Sequence, residues 1–530
     1  MTVAILRRQI NAESSPIYRL PPESLAMVAS YLNIRDLFTA AHVSSRWRAT
    51  LLSVSSLWSN IQHGNDDEML AMLEWSKSAP LRVSIKFGCP PEKVMNTLYN
   101  NSARIVSLRS DNRAVLKKLL SRPVGSLKVL SIGVDGPDIL HDARDIADEP
   151  AEVVPSLRVL SVEGNIGGFG FCVPHLTHFK FKGWYSQETD GEMLLSILGV
   201  FRQCPMLEVV DVGWGEELYN SEDIALAGRD VISLPHLRYL AQEQYVEIDQ
   251  PWLPDLLHLP QLCSIYLKKP PIVYGPGPGP VPLPFLDHKS SYLSDIRRVK
   301  LVTVYDYSEN RIETFMEVIN GQGTFLSFQK TILPGGLHRD PWTIIDGEIN
   351  PANLRALRFI NTGSPMVLCL DNHQLRRGGG KLANYVAQGL RDLENVTTLI
   401  LSNSAIEPCL FALEPENPEK SWWCSTVYSL VICLPSKLDL TGTDMLQSLL
   451  RVAKKRKTAK APFRSVTLVI PSTTLVVSPG ELAALNEHIE RFEFLAGDDA
   501  LDWDVDKYFI PDYDPLRRRR DESAFDLDES

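Results

Sequence analysis

The chain has 530 residues and a formal net charge of −11 at pH 7. Residues 498–530 hold 12 acidic and 5 basic residues, a charge of −7, so the other 497 residues carry only −4. A nearly neutral body gives no general case for nucleic-acid binding, and no apolar run approaches the ~20 residues of a membrane span. We therefore expect neither a nucleic acid nor a membrane among the partners.

Two features bear on the compartment. In residues 1–15 a short apolar stretch comes before two arginines. This is the reverse of the order in a secretory signal. We interpret these residues as an N-terminal leader. The eight cysteines are scattered without a Cys-x-x-Cys pair, a distribution typical of reduced, buried thiols rather than of disulfides or a zinc site. We expect a cytoplasmic or nuclear location, or both, and no cofactor.

Residues 17–61 are predicted to form three or four short helices. Pro21 and Pro22 stand where a first helical turn tolerates proline. An apolar stripe at helical spacing follows, made of Leu25, Val28, Ala29 and Leu32. Helices this short are marginal in water, so they depend on packing against something else.

Capping residues separate the later helices of this segment. Asn33 can cap the second helix, and Asp36 then lies near the positive end of its dipole. Ser44 or Ser45 can cap a third helix, and Trp58 closes the segment. The apolar stripe of the third helix is Trp47, Leu51 and Leu52. Because about 45 residues is usually too few for a self-sufficient core, either neighbouring residues or another protein must cover the remaining apolar surface.

This segment resembles an F-box. The resemblance is carried by short motifs along its length: Leu20-Pro21-Pro22-Glu23, Tyr31-Leu32, Arg35-Asp36-Leu37, Val43, Arg46-Trp47-Arg48 and Ser56-Leu57-Trp58. One departure is Ser44, where many family members carry a cysteine. The alternative, an ordinary small helical subdomain, does not explain a match that runs across the whole segment.

The resemblance implies a protein partner and no catalysis. F-box proteins dock this helical unit onto the small Skp-type adaptor of a cullin-based ubiquitin ligase, and the rest of the chain presents a substrate. By motif position, the residues implied to bind the adaptor are Leu20, Pro21, Leu25, Leu32, Leu37, Val43, Trp47, Leu51 and Leu52.

A repeated pattern follows the F-box-like segment. Residues 66–77 and 91–101 are predicted to be helical and to form a bridge over residues 63–101. Beyond the bridge, one pattern recurs: apolar residues at positions i, i+3 and i+5. It occurs in twelve places, from Ala103/Val106/Leu108 to Ser465/Leu468/Ile470. This spacing is the L-x-x-L-x-L core of a leucine-rich repeat. In five copies a proline precedes the first position by two residues, where it favours an extended strand start.

The predicted fold class is an α/β repeat: a small all-α F-box over residues 16–62, then a leucine-rich-repeat-like solenoid with parallel strands over 102–496. The copies are irregularly spaced, and the longest gap, between Ile296 and Leu354, has room for a degenerate copy near 325–328. A set of unrelated apolar strands in an α/β domain is the alternative. Residues 497–530 are predicted to be an acidic, largely disordered tail.

Such a solenoid carries the intervening residues of each strand on a concave sheet, where partners commonly bind. Lysine and arginine are frequent at these positions in the middle repeats. The residues predicted to bind substrate are Lys180, Lys182, Arg238, Lys268, Arg297, Arg298, Lys300, Arg355 and Arg358. They favour an acidic or phosphorylated substrate segment held by forked hydrogen bonds, although lysine and arginine also keep an exposed sheet soluble and unpaired.

No motif assembles a nucleophile with its base or a set of metal ligands. The sequence contains neither G-x-S-x-G nor H-E-x-x-H, so we expect a protein that is not an enzyme. Two basic clusters, 454–457 and 517–520, are candidate nuclear import signals. The first is better interpreted as the solvated C-terminal end of a helix that starts near Asp444, where positive charge suits the helix dipole.

Taken together, the residues and the resemblance predict a substrate-recognition subunit of a Skp–cullin–F-box ubiquitin ligase. The layout is similar to that of the many F-box proteins of mushroom-forming fungi. The alternative is a non-catalytic interaction scaffold that acts outside any ligase, in which the N-terminal helices mainly cap the open end of the solenoid.

Overall fold

The structure is a computed structural model, and it describes residues 16–62, 64–85, 88–133, 154–164, 173–183, 190–214, 231–244, 253–260, 263–273, 296–306, 311–320, 325–333, 366–372, 396–403, 406–414, 426–434, 442–470 and 478–496. The chain divides into two compact units, Met1–Leu207 and Glu208–Ser530, which we call unit 1 and unit 2. The predicted leader and tail, with Arg355 and Arg358, lie outside the described residues.

Unit 1 begins with the short helices that the sequence predicts. They are α1 (Pro22–Ala29), α2 (Ile34–Val43) and α3 (Ser45–Ser53), flanked by 3-10 turns at Pro16–Arg19 and Ser55–Trp58. Strand β1 (Asn60–Gln62) follows at once. The helical segment therefore runs directly into a strand, with one residue between the last turn and β1.

The bridge contains the two predicted helices and one strand that the prediction missed. Helices α4 (Asp66–Trp75) and α5 (Glu92–Asn100) are confirmed. Strand β2 (Leu81–Ile85) lies between them and pairs in parallel with β1. Its residues alternate between buried Leu81, Val83 and Ile85 and more exposed polar ones, which is the period of two expected of a half-buried strand.

The rest of unit 1 repeats one arrangement. Strands β3 (Ile105–Ser110), β4 (Val129–Gly133), β5 (Val159–Glu163) and β6 (His178–Lys182) follow β2, and each is parallel to the one before it. Helix α5 lies between β2 and β3, α6 (Arg113–Leu119) lies between β3 and β4, and α7 (Asp190–Gln203) follows β6. In β4, β5 and β6 the middle apolar position of the repeat is buried, and Leu130, Leu160 and Phe179 form one row that continues to Leu108 in β3. In the first predicted copy Leu108 is the third position and the middle position, Val106, is half-buried, so the predicted frame of that copy is wrong.

Unit 2 begins in the same way. Strands β7 (Val209–Trp214), β9 (Tyr239–Gln244) and β11 (Ser264–Val273) are parallel, with β9 between the other two. Two short strands, β8 (Ile232–Ser233) and β10 (Leu257–His258), pair separately. A 3-10 turn, Leu253–Leu256, precedes β10.

The middle of unit 2 departs from the predicted pattern. Strands β12 (Ile296–Asp306), β13 (Arg311–Asn320) and β14 (Phe325–Leu333) form an antiparallel series, in which β14 is parallel to β11 and β12 is parallel to β15 (Met366–Asn372). The expectation that each strand is parallel to the last is wrong here. Four residues join each successive pair, which is too short for the crossover that a parallel connection needs.

Parallel pairing resumes in the C-terminal part of unit 2. Strands β15, β16 (Val396–Asn403), β17 (Ser429–Cys433), β18 (Ser465–Ile470) and β19 (Arg491–Ala496) pair in that order. Helices α8 (Ile406–Ala412), α9 (Gly442–Thr458) and α10 (Pro479–His488) fall between the last four strands along the chain. The predicted copy at residues 354–359 lies outside the described residues.

Helix α9 carries the first basic cluster at its C-terminal end, as predicted, but one member is not solvated. Arg456 is fully buried; it donates hydrogen bonds to the carbonyl oxygens of Val427 and Ala461, and its guanidinium lies 4.2 Å from the ring centroid of Phe463. The prediction that this cluster is solvated is therefore wrong for Arg456. Its hydrogen bonds connect the end of α9 to the residues that precede β17 and β18.

Replacing Arg456 with methionine should destabilise α9 by about 2–4 kcal/mol, because two buried carbonyl oxygens lose their donor. Hydrogen exchange of the α9 amides in the intact chain measures this as faster opening. Lys454→Met, at an exposed position in the same turn, should change the exchange little, and equal effects of the two substitutions would contradict the assignment.

The free cysteines should differ in reactivity. Burial raises the pKa of the Cys263 thiol to about 12, whereas Cys89 is exposed. At pH 9 a thiol of that pKa is about 0.1% thiolate, the reactive form. Iodoacetamide at pH 9, followed by peptide mass spectrometry, should label Cys89 within minutes and Cys263 after unfolding in urea. Comparable labelling of Cys89 and Cys263 in the folded chain would contradict the burial of Cys263.

Candidate functional site

The N-terminal helices are held in place by caps at their starts. Asn33 Oδ1 accepts from Asp36 N at 3.0 Å and its Nδ2 donates to the Asp36 carboxylate at 2.7 Å, so the predicted cap of α2 is confirmed. Ser44 Oγ accepts from Trp47 N at 3.2 Å and caps α3. Of the two serines left open by the sequence, the structure selects Ser44, the position where the resemblance departs from the family pattern.

Arginines tie the three helices together. Arg46, at the start of α3, donates to the Leu20 carbonyl oxygen just before α1. Arg48 Nε donates to the Ala41 carbonyl oxygen in α2 at 3.0 Å. These bonds fix α3 against both of its neighbours, so Arg46 and Arg48 of the motif serve the unit's internal geometry.

An aromatic cluster closes the helical segment against the following bridge. Trp58 is fully buried and donates from Nε1 to the Leu51 carbonyl oxygen at 2.9 Å. Its ring centroid lies 4.7 Å from that of Trp75 and 5.3 Å from that of Phe38, both at steep interplanar angles. Edge-to-face contacts of this kind stabilise beyond the area they bury. The bridge thus supplies part of the cover that the sequence required.

The predicted adaptor-binding residues divide by exposure. Four are buried inside the unit and position its helices: Leu25, Leu37, Trp47 and Leu51. The others retain accessible surface: Leu20, Pro21, Leu32, Val43 and Leu52. Of these, Val43 is 68% exposed at the end of α2. Their direct contact with an adaptor stays a prediction.

The structure adds apolar residues that the motif positions did not include. Among the described residues, ten large apolar side chains are exposed, and six lie in the N-terminal helical segment: Ile17, Leu20, Met27, Val28, Tyr31 and Val43. Met27 is 66% and Tyr31 86% exposed. Met27 lies on the side of α1 opposite to buried Leu25 and Ala29, because two residues turn a helix by about 200°. We call these six residues the apolar patch.

The exposed side of α1 could have been predicted from the sequence by considering all apolar residues of the helix and not only those at F-box motif positions. A helix that is apolar on several sides is normally buried on all of them. Helix α1 has apolar residues at both Leu25 and Met27, yet within the described chain one side remains open. Large open apolar patches mark interaction sites. Such a helix is therefore expected to be completed by another molecule.

The F-box-like family model matches residues 17–62. No curated protein matches the chain. The F-box-like region thus coincides with the helical segment that carries the apolar patch. It is followed by a mixed α/β region with parallel strands. Domains of this family generally bind Skp-type adaptors and are typically non-catalytic.

The basic residues predicted to bind substrate are distributed over both units. In unit 1, Lys180 is half-buried and in register with Ser161, and Lys182 is exposed opposite Glu163. In unit 2, Arg238 is exposed before β9 and Arg297 is exposed in β12. Lys268, Arg298 and Lys300 lie on β11 and β12 by backbone position. The two predicted arginines at 355 and 358 are not described, so the structure does not gather the nine residues into one site.

The C-terminal part of unit 2 contradicts the expectation of an open polar face. The positions between the repeat leucines are apolar there, and Cys369, Ile400, Val431 and Val469 form one buried cluster. Val367, Cys433 and Leu495 pack against it. Hydrophobic residues on both sides of a strand are typical of a parallel sheet covered on both faces. These strands therefore do not expose a polar binding surface at those positions.

In the part of the chain that the structure describes, no group of three or more His, Cys, Asp or Glu side chains has the arrangement of a metal site. None of the described helices has the length and apolar character required to cross a bilayer.

Substituting the α3 cap Ser44 with alanine should destabilise α3 by about 1 kcal/mol, because the Trp47 amide loses its acceptor. Hydrogen exchange of α3 amides in the intact chain should then be roughly five times faster. Ser45→Ala, one residue on and exposed, is the matched control. A larger effect of Ser45→Ala than of Ser44→Ala would show that the cap is misassigned.

Proposed function

We propose that this protein is the substrate-recognition subunit of a Skp–cullin–F-box ubiquitin ligase and is itself non-catalytic. The observation that carries the proposal is the apolar patch within the F-box-like region. In this function the region docks the Skp-type adaptor, and through it the cullin, while the following strands hold a protein substrate. The cytoplasm, the nucleus or both are the proposed location.

Burial within the region supports the first half of the proposal. Leu25, Leu37, Leu51 and Trp58 form an interior that keeps the helices in one arrangement. Met27, Tyr31 and Val43 remain open on α1, the following turn and the end of α2. Aromatic and methionine side chains are enriched at the centres of protein interfaces, so the patch has the composition of a docking surface.

The parallel strands support the second half. Their regular register, with Leu130, Leu160 and Phe179 in one buried row, is what a leucine-rich-repeat-like solenoid requires, and we propose that the chain forms one. We further propose that this array binds an acidic or phosphorylated substrate. The overall layout, as in fungal F-box proteins, is part of the same proposal.

The mechanism is proximity. A subunit that binds the ligase at one end and a substrate at the other raises the effective concentration of substrate at the site of ubiquitin transfer. This mechanism needs two separable binding surfaces and no reacting side chain.

The second candidate is a scaffold that binds the adaptor, or caps its own sheet, outside any ligase. The contacts among Trp58, Trp75 and Phe38 favour a capping contribution, since α4 and the last turn, which carry Trp75 and Trp58, both contact β1. Co-purification with a Skp-type adaptor but never with a cullin would support this candidate over the ligase subunit.

The double variant Met27→Asp with Tyr31→Asp should lose adaptor binding by about 30-fold or more, because two exposed apolar residues of the patch become charged. The measurement is affinity of the intact chain for a purified Skp-type adaptor, followed by recovery of cullin from cells. Neither side chain is buried, so the fold should be retained.

Met206→Asp with Val231→Asp is the matched control, since both residues are exposed apolar side chains outside the F-box-like region. It should bind the adaptor like the unmodified chain. Equal adaptor binding by both double variants would refute the docking surface.

A further inference from the structure

Strand β19 ends the C-terminal parallel series of unit 2, and its apolar side is incompletely covered. Phe492 and Phe494 lie in register with Val466 and Leu468 of β18. Both β18 residues are fully buried, whereas both phenylalanines are half-buried. Strand β18 has a strand on each side, but among the described strands β19 pairs with β18 alone. The described chain thus places no strand beside the phenylalanines on the side away from β18.

The backbone of β19 is directed to the same open side at alternate residues. Arg491 N donates to the Arg464 carbonyl oxygen, just before β18, at 3.0 Å. Because the hydrogen-bonding groups of successive residues point to opposite sides of a strand, Glu493 faces β18 as Arg491 does. The N–H and C=O groups of Phe492 and Phe494 point to the outer edge. An edge of this kind is a template for another extended chain.

The residues that follow β19 have the pattern of such a chain. Residues 497–530 lie outside the described part of the chain, so their pattern is taken from the sequence. Residues 497–500 are Gly-Asp-Asp-Ala, in which Gly and Asp favour a turn. Residues 501–506 are Leu-Asp-Trp-Asp-Val-Asp. Strict alternation of apolar and polar residues predicts an extended segment with one apolar side.

A four-residue turn sets which residues lie opposite one another in an antiparallel hairpin. The opposite pairs on the apolar side are Ala496 with Leu501, Phe494 with Trp503, and Phe492 with Val505. Directly opposite residues share one face of the sheet. The segment would therefore cover the half-buried phenylalanines, with an aromatic pair at the centre. The outward backbone groups of Phe494 would make that pair a hydrogen-bonded one.

The acidic side of the segment would lie on the other face of β19. Arg491 and Glu493 are exposed there, with their side chains 4.0 Å apart. Asp506 would lie opposite Arg491, which is favourable, and Asp504 would lie opposite Glu493, which is not. A row of acids along the new outer strand would also hinder the addition of a further strand, because charged side chains protect sheet edges from pairing.

We propose that residues 501–506 add an antiparallel strand to the outer edge of β19 and close the C-terminal end of the sheet in unit 2. The edge accepts an extended segment with alternating apolar and acidic residues. The chain's own segment is the occupant because it begins four residues beyond β19, which gives it a high effective concentration there. These six residues are thus separate from the predicted disorder of the tail. Another extended chain would gain the edge only when the segment leaves it.

Hydrogen exchange of the full chain, measured at single residues by mass spectrometry, tests the added strand. The amides of Phe492 and Phe494 should exchange at least about tenfold more slowly in the unmodified chain than in the variant Trp503→Asp with Val505→Asp. The Glu493 amide faces β18 and should stay protected in both chains, which checks that β19 remains folded. Equal exchange of the two phenylalanine amides in both chains would overturn the proposal.

The matched control is Asp502→Asn with Asp504→Asn, which changes the same segment on its other side. This variant should retain the protection of Phe492 and Phe494, because the apolar side is intact. Loss of protection as large as in the Trp503 and Val505 variant would show that the apolar side does not hold the segment, and would contradict the proposed register.

Disulfide formation tests the register directly. Glu493→Cys with Asp504→Cys places two thiols opposite each other in a non-hydrogen-bonded pair, where Cβ atoms lie about 4.5 Å apart, close to the separation that a disulfide needs. Glu493→Cys with Asp502→Cys is the control, since diagonal neighbours lie about 7–8 Å apart. Under mild oxidation the first pair should link at least about tenfold faster within one chain. Equal rates would overturn the proposed pairing.

The remaining outcomes would assign the edge to another occupant. Protection of Phe492 and Phe494 should not depend on chain concentration. Protection that grows with concentration, together with a dimer in sedimentation, would make a second copy the occupant and overturn the proposal. Fast exchange of both amides in the purified, unmodified chain would leave the edge to another protein and would overturn it as well.

Discussion

Trp58 is the point at which the F-box-like region and the parallel strands are joined. Its fully buried indole binds the Leu51 carbonyl oxygen in α3 and contacts the rings of Phe38 in α2 and Trp75 in α4. Two residues later the chain enters β1, which pairs with β2. A large aromatic residue held by both packing and a hydrogen bond has little freedom to reorient. The N-terminal helices are therefore held next to the first strand of the sheet.

That join explains why a short helical segment can remain folded while one side of it stays apolar and open. Leu25, Leu37 and Leu51 are buried where α3 packs against α1, α2 and the last turn of the region. Met27, Tyr31 and Val43 are not needed for that interior and remain accessible. The interior and the exposed apolar surface are thus formed by different residues of the same segment. A partner can use the second set without disturbing the first.

Unit 1 and the C-terminal part of unit 2 also differ in the side chains that lie between the repeat leucines. In unit 1 the positions between the buried leucines carry serine, arginine and lysine, and they are half-buried. In the C-terminal part of unit 2 the equivalent positions Ile400 and Val431 are buried, and Thr467, in register with Val431, is half-buried. One pattern of repeat leucines therefore supports two kinds of surface, since the side chains between the leucines decide whether a face is open or covered.

The sequence alone determined the local elements of this protein. The cap at Asn33, a serine cap at position 44 or 45, the helices over 66–77 and 91–101, and most strands centred on the repeat leucines follow from short-range spacing and hydrogen-bonding capacity, which the tertiary structure preserves. Only the tertiary structure decided which apolar residues are open, which strands are antiparallel, and that Arg456 is buried. Those outcomes depend on contacts between residues far apart in the chain. A local pattern can show that Met27 or Arg456 is apolar or charged, but not what lies against it.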